Sequence, residues 1–326
     1  MPTGQVHINA ALTNLSIAYG QGQNIIRGIL PPFPTDHQSD LVWKYGKELF
    51  LSKDDVRAGG TEAKNSDWGL TTVQFECSGH ALQGRIAREK EHNADPALNL
   101  LADTTMLLTQ QVRLNEEING IAKIVSAMGT ASYVADQSKT AWNSANFDPY
   151  GYLKGQIDTI GLQCGRLPNT LALSRPVWTA IRKNPNVVGL ITGAPQLPSA
   201  GVSTAQFAEL LELKEILVGE MVYNTTLGQA LSWAWGQKAL LFYKDPNPGL
   251  RVLSLGYTPI WTKALAAVTG LEKVPGMDGM GDQFVQQYFW EPEIADYVVA
   301  HSYYDQQLWA PECGQLYTGC LGTANA

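Results

Sequence analysis

Residues Leu41 to Cys77 constrain this chain most, because they predict a structure that little of the neighbouring sequence can cover. Leu41, Trp43, Tyr45, Leu49 and Leu51 fall on one side of an extended strand, with Lys44 and Glu48 on the other. Thr71, Val73, Phe75 and Cys77 repeat the alternation in a second strand, so the pattern is that of a half-buried two-stranded ribbon. Ser52 to Asp67 forms a long polar tip carrying Lys53, Asp54, Asp55, Arg57, Glu62 and Lys64. An isolated hairpin is marginal in water. Its apolar face therefore requires a partner, and the simplest supplier is a second copy of the same chain.

The rest of the composition agrees with extensive protein contact. Of the 326 residues, 44% are hydrophobic, enough for a large core. Only 16% are charged, against roughly 25% in ordinary soluble domains. The nine Trp and thirteen Tyr supply broad amphipathic contact surfaces. A net charge of −7 and the lack of a basic tail argue against direct capture of nucleic acid. Neither a signal peptide nor a membrane span is predicted.

Along the chain, Met1 to Gln38 reads as an extended strap, with Pro31-Pro32-Phe33-Pro34 resisting helix. Asp95-Pro96 predicts the start of a long helix that Gly129 ends, with Leu100, Leu107, Leu114, Ile118, Ile121, Val125 and Met128 as its apolar stripe. From Asp148 helices and strands alternate. The spacing predicts helices over Tyr150–Gln163, Arg175–Lys183 and Ser203–Leu211, and strands over Asn169–Leu173, Lys214–Gly219, Trp233–Tyr243, Arg251–Trp261 and Ala295–Tyr304. Gly270 to Asp282 reads as a glycine-rich loop.

A search for catalytic chemistry returns nothing that stands above the ordinary structural reading. No strand is followed by a phosphate-cradling glycine loop, there is no Gly-x-Ser-x-Gly elbow, and the five histidines are scattered. Cys77 and His80 lie close together but lack a second pair of ligands, and Cys77 fits a buried apolar strand position. Cys313 and Cys320 flank Gly314 and Gly319 and could approach each other across a turn, though a reducing compartment would keep them as thiols. No enzyme activity, cofactor or metal is expected.

Several segments carry a resemblance in a fixed order. They include Arg166-Leu167-Pro168-Asn169-Thr170-Leu171-Ala172-Leu173-Ser174, Val177-Trp178, Asn184-Pro185-Asn186-Val187 and Leu210 to Glu220, followed by Tyr223-Asn224-Thr225. Trp235-Gly236 and Leu253-Ser254-Leu255-Gly256-Tyr257-Thr258 continue the series, and Tyr45-Gly46-Lys47-Glu48, Gly60-Thr61-Glu62-Ala63 and Ala94-Asp95-Pro96 fit upstream. Together they resemble the major capsid proteins of tailed bacteriophages, which have the HK97-type fold. The resemblance implies an α+β chain divided into an N-terminal arm (1–38), an extended loop (39–92), a peripheral domain with a spine helix (93–147), an axial domain (148–244) and a peripheral return with tail (245–326).

It also implies self-assembly through pentamers and hexamers into an icosahedral head around double-stranded DNA, with an encapsulin-like nanocompartment shell as the alternative. The extended loop would lie across a neighbouring subunit. Lys53, Asp54, Asp55 and Arg57 are then expected at its tip contacts, and Trp43, Tyr45, Val73 and Phe75 on the apolar ribbon covering that neighbour. A separate scaffolding protein, a portal and a decoration protein are the implied partners, and packaged DNA would touch the shell only non-specifically.

Overall fold

The computed structural model describes residues 21–57, 59–60, 62–67, 69–93, 99–192, 202–226, 228–245, 247, 249, 252–264, 267 and 283–322. The first twenty residues of the expected arm, the Asp95-Pro96 helix start and the glycine-rich 270–282 segment lie outside them.

The described part of the arm is more than a strap. It folds into a short helix α1 (Ile26–Ile29) and a strand β1 (Pro32–Thr35). Proline lacks an N–H for a sheet ladder, so its place is an edge, and β1 sits at the edge of its sheet, parallel to the strand that holds Thr258 to Trp261. The ribbon follows as β2 (Ser39–Tyr45) and β3 (Leu70–Glu76), paired antiparallel from Ser39 opposite Glu76 to Tyr45 opposite Leu70. Leu49 and Leu51 do not extend β2 as expected, because the chain turns into a 3-10 segment at Lys47–Phe50.

A ten-residue strand β4 (Ser78–Ala87) comes next, then a short helix α2 (Arg88–His92) and the long helix α3 (Leu100–Thr130). The Asn99 side chain caps α3 by accepting from the Ala102 N–H. Its 31 residues span about 46 Å at 1.5 Å each. The buried stripe of α3 is Leu108, Val112, Glu116, Glu117, Gly120, Ile121, Ile124 and Met128. Leu107, expected inside, points outward, because the true stripe includes two glutamates and a glycine that hydrophobic periodicity cannot register.

Beyond α3 the elements are β5 (Val134–Asp136), α4 (Pro149–Cys164), β6 (Thr170–Ser174), α5 (Arg175–Ile181), α6 (Pro185–Thr192), α7 (Thr204–Leu210) and β7 (Glu215–Gly219). Asp148 caps α4, and Gly165, at φ +73°, closes it. Ser203 and Gln206 form a reciprocal capping box on α7. The expected strand over Trp233–Tyr243 is broken. Its first part, β9 (Ser232–Trp233), pairs with β8 (Val222–Tyr223), and a left-handed Gly236 separates it from β10 (Ala239–Phe242). The chain ends its described course with β11 (Gly256–Trp261), β12 (Gln283–Trp290), β13 (Ala295–Tyr304), β14 (Gln307–Leu308) and β15 (Gly314–Thr318).

Two sheets organise these elements. The larger has the order β1-β11-β13-β12, with β4 also on β13 and β14 on β11. Ile86, Leu108, Val112, Val298 and Ala300 pack α3 onto its β4–β13 pair. The smaller has the order β5-β15-β10-β6-β7. Strands β6 and β10 are buried throughout, as suits the Leu171-Ala172-Leu173 centre of β6 and the wholly apolar β10. Leu171, Leu173, Ala239 and Leu241 face the α4–α7 side, and Ala172, Leu240 and Phe242 face α1 and α3. The expected peripheral return over 245–326 therefore divides. Strands β11 to β14 stay with the larger sheet, and β15 crosses to complete the smaller one.

The arm is held to α3 by burial and by charge. Ile25, Ile26, Ile29 and Leu30 are buried against Ile121, Ile124 and Met128, and Arg27 forks onto Glu116 at 2.9 Å. A side chain at Gly120 would begin 2.3 Å from Ile26 Cγ1. Gly120→Ala should therefore lower stability by about 1–3 kcal/mol, although alanine favours a helix by about 1 kcal/mol. Thermal melting of the subunit measures this, and a raised midpoint would show that Ile26 repacks freely.

Candidate inter-subunit surface

The ribbon's register decides which of its faces is open. Directly paired residues share a face, so Asp40, Val42 and Lys44 lie with Phe75, Val73 and Thr71, while Leu41, Trp43 and Tyr45 lie with Gln74, Thr72 and Leu70. The expected single ribbon face of Trp43, Tyr45, Val73 and Phe75 is thus a correction: the four divide between two opposite faces. Phe75 is only 3% exposed, and Val73 is half-buried beside it. Their face rests on the subunit's own body, where Lys44 Nζ donates to the Trp309 carbonyl at 2.8 Å and approaches Glu312 at 3.4 Å. The Glu76 N–H also bonds Asp305 Oδ2 at 3.2 Å.

The other face is open. Trp43 is 57% and Leu41 53% exposed, and Tyr45 and Leu70 are exposed beside them. Sequence alternation identified this face correctly in β2 but joined it to the wrong residues of β3.

At its base the loop is seated on α4. Lys47 Nζ donates to the Gln163 carbonyl at 2.8 Å, and the Phe50 ring occupies the space that a side chain at Gly165 would need. At the tip, Lys64 holds Asp54 at 2.5 Å. That contact, followed by the Val56 N–H, keeps the Asp54 carboxyl below its ordinary value. Lys53 reaches Ser66 Oγ at 3.2 Å, while Asp55 and Arg57 are exposed along with Val56, Phe50 and Leu51. Of the four expected tip residues, two are therefore held within the tip itself.

Exposed apolar side chains that the sequence reading missed lie along edge strand β12, with Val285 and Phe289 on one face and Tyr288 and Trp290 on the other. Its aromatic run was the available signal. Arg88 lies over the Phe289 ring at 3.9 Å.

Cys77 is fully buried and donates to the Pro259 carbonyl at 3.5 Å, and burial pushes its thiol up to about 12, which suits a packing role. His80 stacks on Tyr304 at 4.3 Å. No three His, Cys, Asp or Glu side chains among the described residues cluster as a metal site. No described helix is long and apolar enough to cross a membrane.

No family model matches the chain. Among curated proteins it is 28% identical over 248 residues to the major capsid protein of Pseudomonas phage JBD67, covering 73% of this chain and 77% of that one. It is 23% identical over 241 residues to the major capsid protein of Burkholderia phage BcepMu, covering 72% and 76%. Among solved structures it matches a phage-related protein of Bordetella bronchiseptica RB50 with a TM-score of 0.65 at 19% identity, over 93% of this chain and 94% of that one. The capsid of cyanophage P-SCSP1u matches with a TM-score of 0.61 at 11% identity, over 97% and 92%. The chain has the HK97-type capsid fold. Both matches cover more than nine-tenths of each chain.

Proposed function

We propose that this chain is a phage major capsid protein whose copies assemble through pentamers and hexamers into an icosahedral head enclosing double-stranded DNA. The likeness to two phage major capsid proteins over nearly three-quarters of the chain supports a structural shell role. The observation that carries the reading is the open face of Leu41, Trp43, Tyr45 and Leu70 on an exposed ribbon. A neighbouring subunit covers that face, and the contacts of the tip residues Asp55 and Arg57 lie at its rim.

A chain of net charge −7 offers DNA little electrostatic attraction. DNA is therefore driven into the head through a portal rather than drawn in by the wall, and its contacts with the inner surface are non-specific. A separate scaffolding protein sets the curvature, and a decoration protein binds outside where one is used. Each contact between copies can be weak, because ring closure makes later contacts effectively intramolecular. The role is structural rather than enzymatic.

Negative-stain microscopy of the full-length protein, expressed alone and with its scaffold, tests this directly. Rings of five or six and closed shells are expected, and heads isolated from a phage lysate should yield DNA after nuclease treatment of their exterior. Dimers or tetramers alone at every concentration would overturn the shell reading. Shells filled with a cargo protein in place of DNA would replace the phage head with a nanocompartment.

A further inference from the structure

The turn between β12 and β13 spends strain on a side chain that the subunit does not bury. Ile294 stands in the left-handed region at φ +44°, where a β-branched residue is a genuine outlier. Its backbone is held there, since its N–H donates to the Glu291 carbonyl and its own carbonyl accepts from the Arg88 N–H, each at 3.2 Å. The side chain is nevertheless 57% exposed, and Trp290, on the other limb of the turn, is half exposed. Glu293 is taken by Arg85 and the Tyr297 hydroxyl, and Asp296 by Arg88. Among the described residues Glu291 has no partner for its carboxylate, so it is the free charge of the turn.

The tip of the extended loop has the complementary make-up. Val56 is 74% exposed and adjoins Arg57. Lys53 is taken by Ser66 and Lys64 by Asp54, which leaves Arg57 as the tip's free cation among the described residues. Within one subunit the two surfaces lie at opposite ends. The ribbon leaves the larger sheet where β4 begins, with Ser78 opposite Tyr304 and the Glu76 N–H on Asp305, and is then seated on α4 by Lys47 and Phe50. The turn lies where β4 ends, with Ala87 opposite Ala295. The ten paired residues between those ends span about 30 Å.

We propose that the tip of one copy docks on the β12–β13 turn of a second copy, with Val56 against Trp290 and Ile294 and with Arg57 on Glu291. The inference rests on the shell reading and names the surface that receives the tip. A contact between opposite ends of the same chain is heterologous, so it joins copies head to tail and closes a ring when the rotation between them closes. Covering Trp290 and Ile294 supplies apolar burial at the centre of the contact, and the Arg57–Glu291 pair at its rim fixes which surfaces meet.

Full-length Arg57→Glu and Glu291→Arg should each melt as the wild type does, because both side chains are exposed. In sedimentation across a concentration series each should self-associate roughly tenfold more weakly or worse, since like charges then face each other, and Trp290→Ala should weaken association as well. An equimolar mixture of the two charge variants should recover wild-type association, because in it every tip finds a turn of opposite charge on another copy. A mixture as weak as its components, or charge variants that associate normally, would overturn the proposal, as would a wild type that stays monomeric throughout. Wild-type shells without rescue in the mixture would overturn this pairing alone. Rescue by mixing in a protein that never closes into shells would uphold the pairing and overturn the phage-head reading.

Discussion

Replacing Leu41 and Trp43 together by alanine should abolish shells while leaving the subunit's melting temperature unchanged. Both side chains lie on the open face of the ribbon and are more than half exposed, so their removal takes nothing from the subunit's own core. In the assembled state a buried Trp anchor contributes about 2 kcal/mol and a Leu about 1 kcal/mol more. A loss of about 3 kcal/mol per subunit raises the concentration needed for assembly by roughly a hundredfold. Light scattering and microscopy across a concentration series read this directly, and normal heads from the double variant would refute the assignment of that face. Phe75→Ala should behave oppositely. It empties a site buried within the subunit and should destabilise the subunit itself by about 3–5 kcal/mol.

The second large effect is expected at Glu117. This fully buried carboxylate accepts from the Ile25 and Ile26 N–H groups at 3.1 and 2.9 Å and from Trp235 Nε1 at 2.6 Å. It therefore ties the arm and the Trp235 turn to α3 at one point. Glu117→Ala leaves the Ile25 N–H and Trp235 Nε1 without an acceptor at about 1–3 kcal/mol each, while the Ile26 N–H keeps Asn24 Oδ1 at 3.0 Å, so a loss of about 2 kcal/mol or more is expected, with faster amide exchange at Ile25. Glu117→Gln replaces one acceptor oxygen by a donor that must face either Trp235 or the backbone pair, and should lose about 1–3 kcal/mol.

Burial pushes the Glu117 carboxyl above its ordinary 4.5, with Trp235 and the two backbone donors pulling back and Glu116 adding to the rise. Because the folded group then holds its proton more tightly than the unfolded one, the stability linked to it grows as pH falls through the raised value toward 4.5 and is lost as pH rises again. A melting series over that range should lose this slope in Glu117→Gln, and an unchanged slope would assign it to another group.

Local pattern carried much of this fold. The helices expected over Tyr150–Gln163 and Ser203–Leu211 stand as α4 and α7, and the strand expected over Asn169–Leu173 stands as β6 within one residue at each end. Where reading failed, local rules were outweighed by distant partners. The strand β4 was missed because it gains its ladder from β13, more than two hundred residues beyond it. The stripe on α3 was misplaced by one position at Leu107 because Glu116 and Glu117 are buried only through Arg27, Ile25, Ile26 and Trp235. The segment after Asp245 was kept in one unit because nothing local shows β15 leaving for the other sheet.

By itself the sequence determined that there would be a two-sided ribbon, a helix of about nine turns and a chain rich in aromatic surface and poor in charge, and these already implied a subunit made to be covered. Alternation states that neighbouring side chains point to opposite sides, but it does not state on which side the body lies. Only the tertiary structure decided that Phe75 faces inward and Trp43 outward, and that two glutamates form the seat of the arm. Those choices rest on contacts such as Lys44 with Trp309, 265 residues apart, and no local periodicity encodes a pairing at that separation.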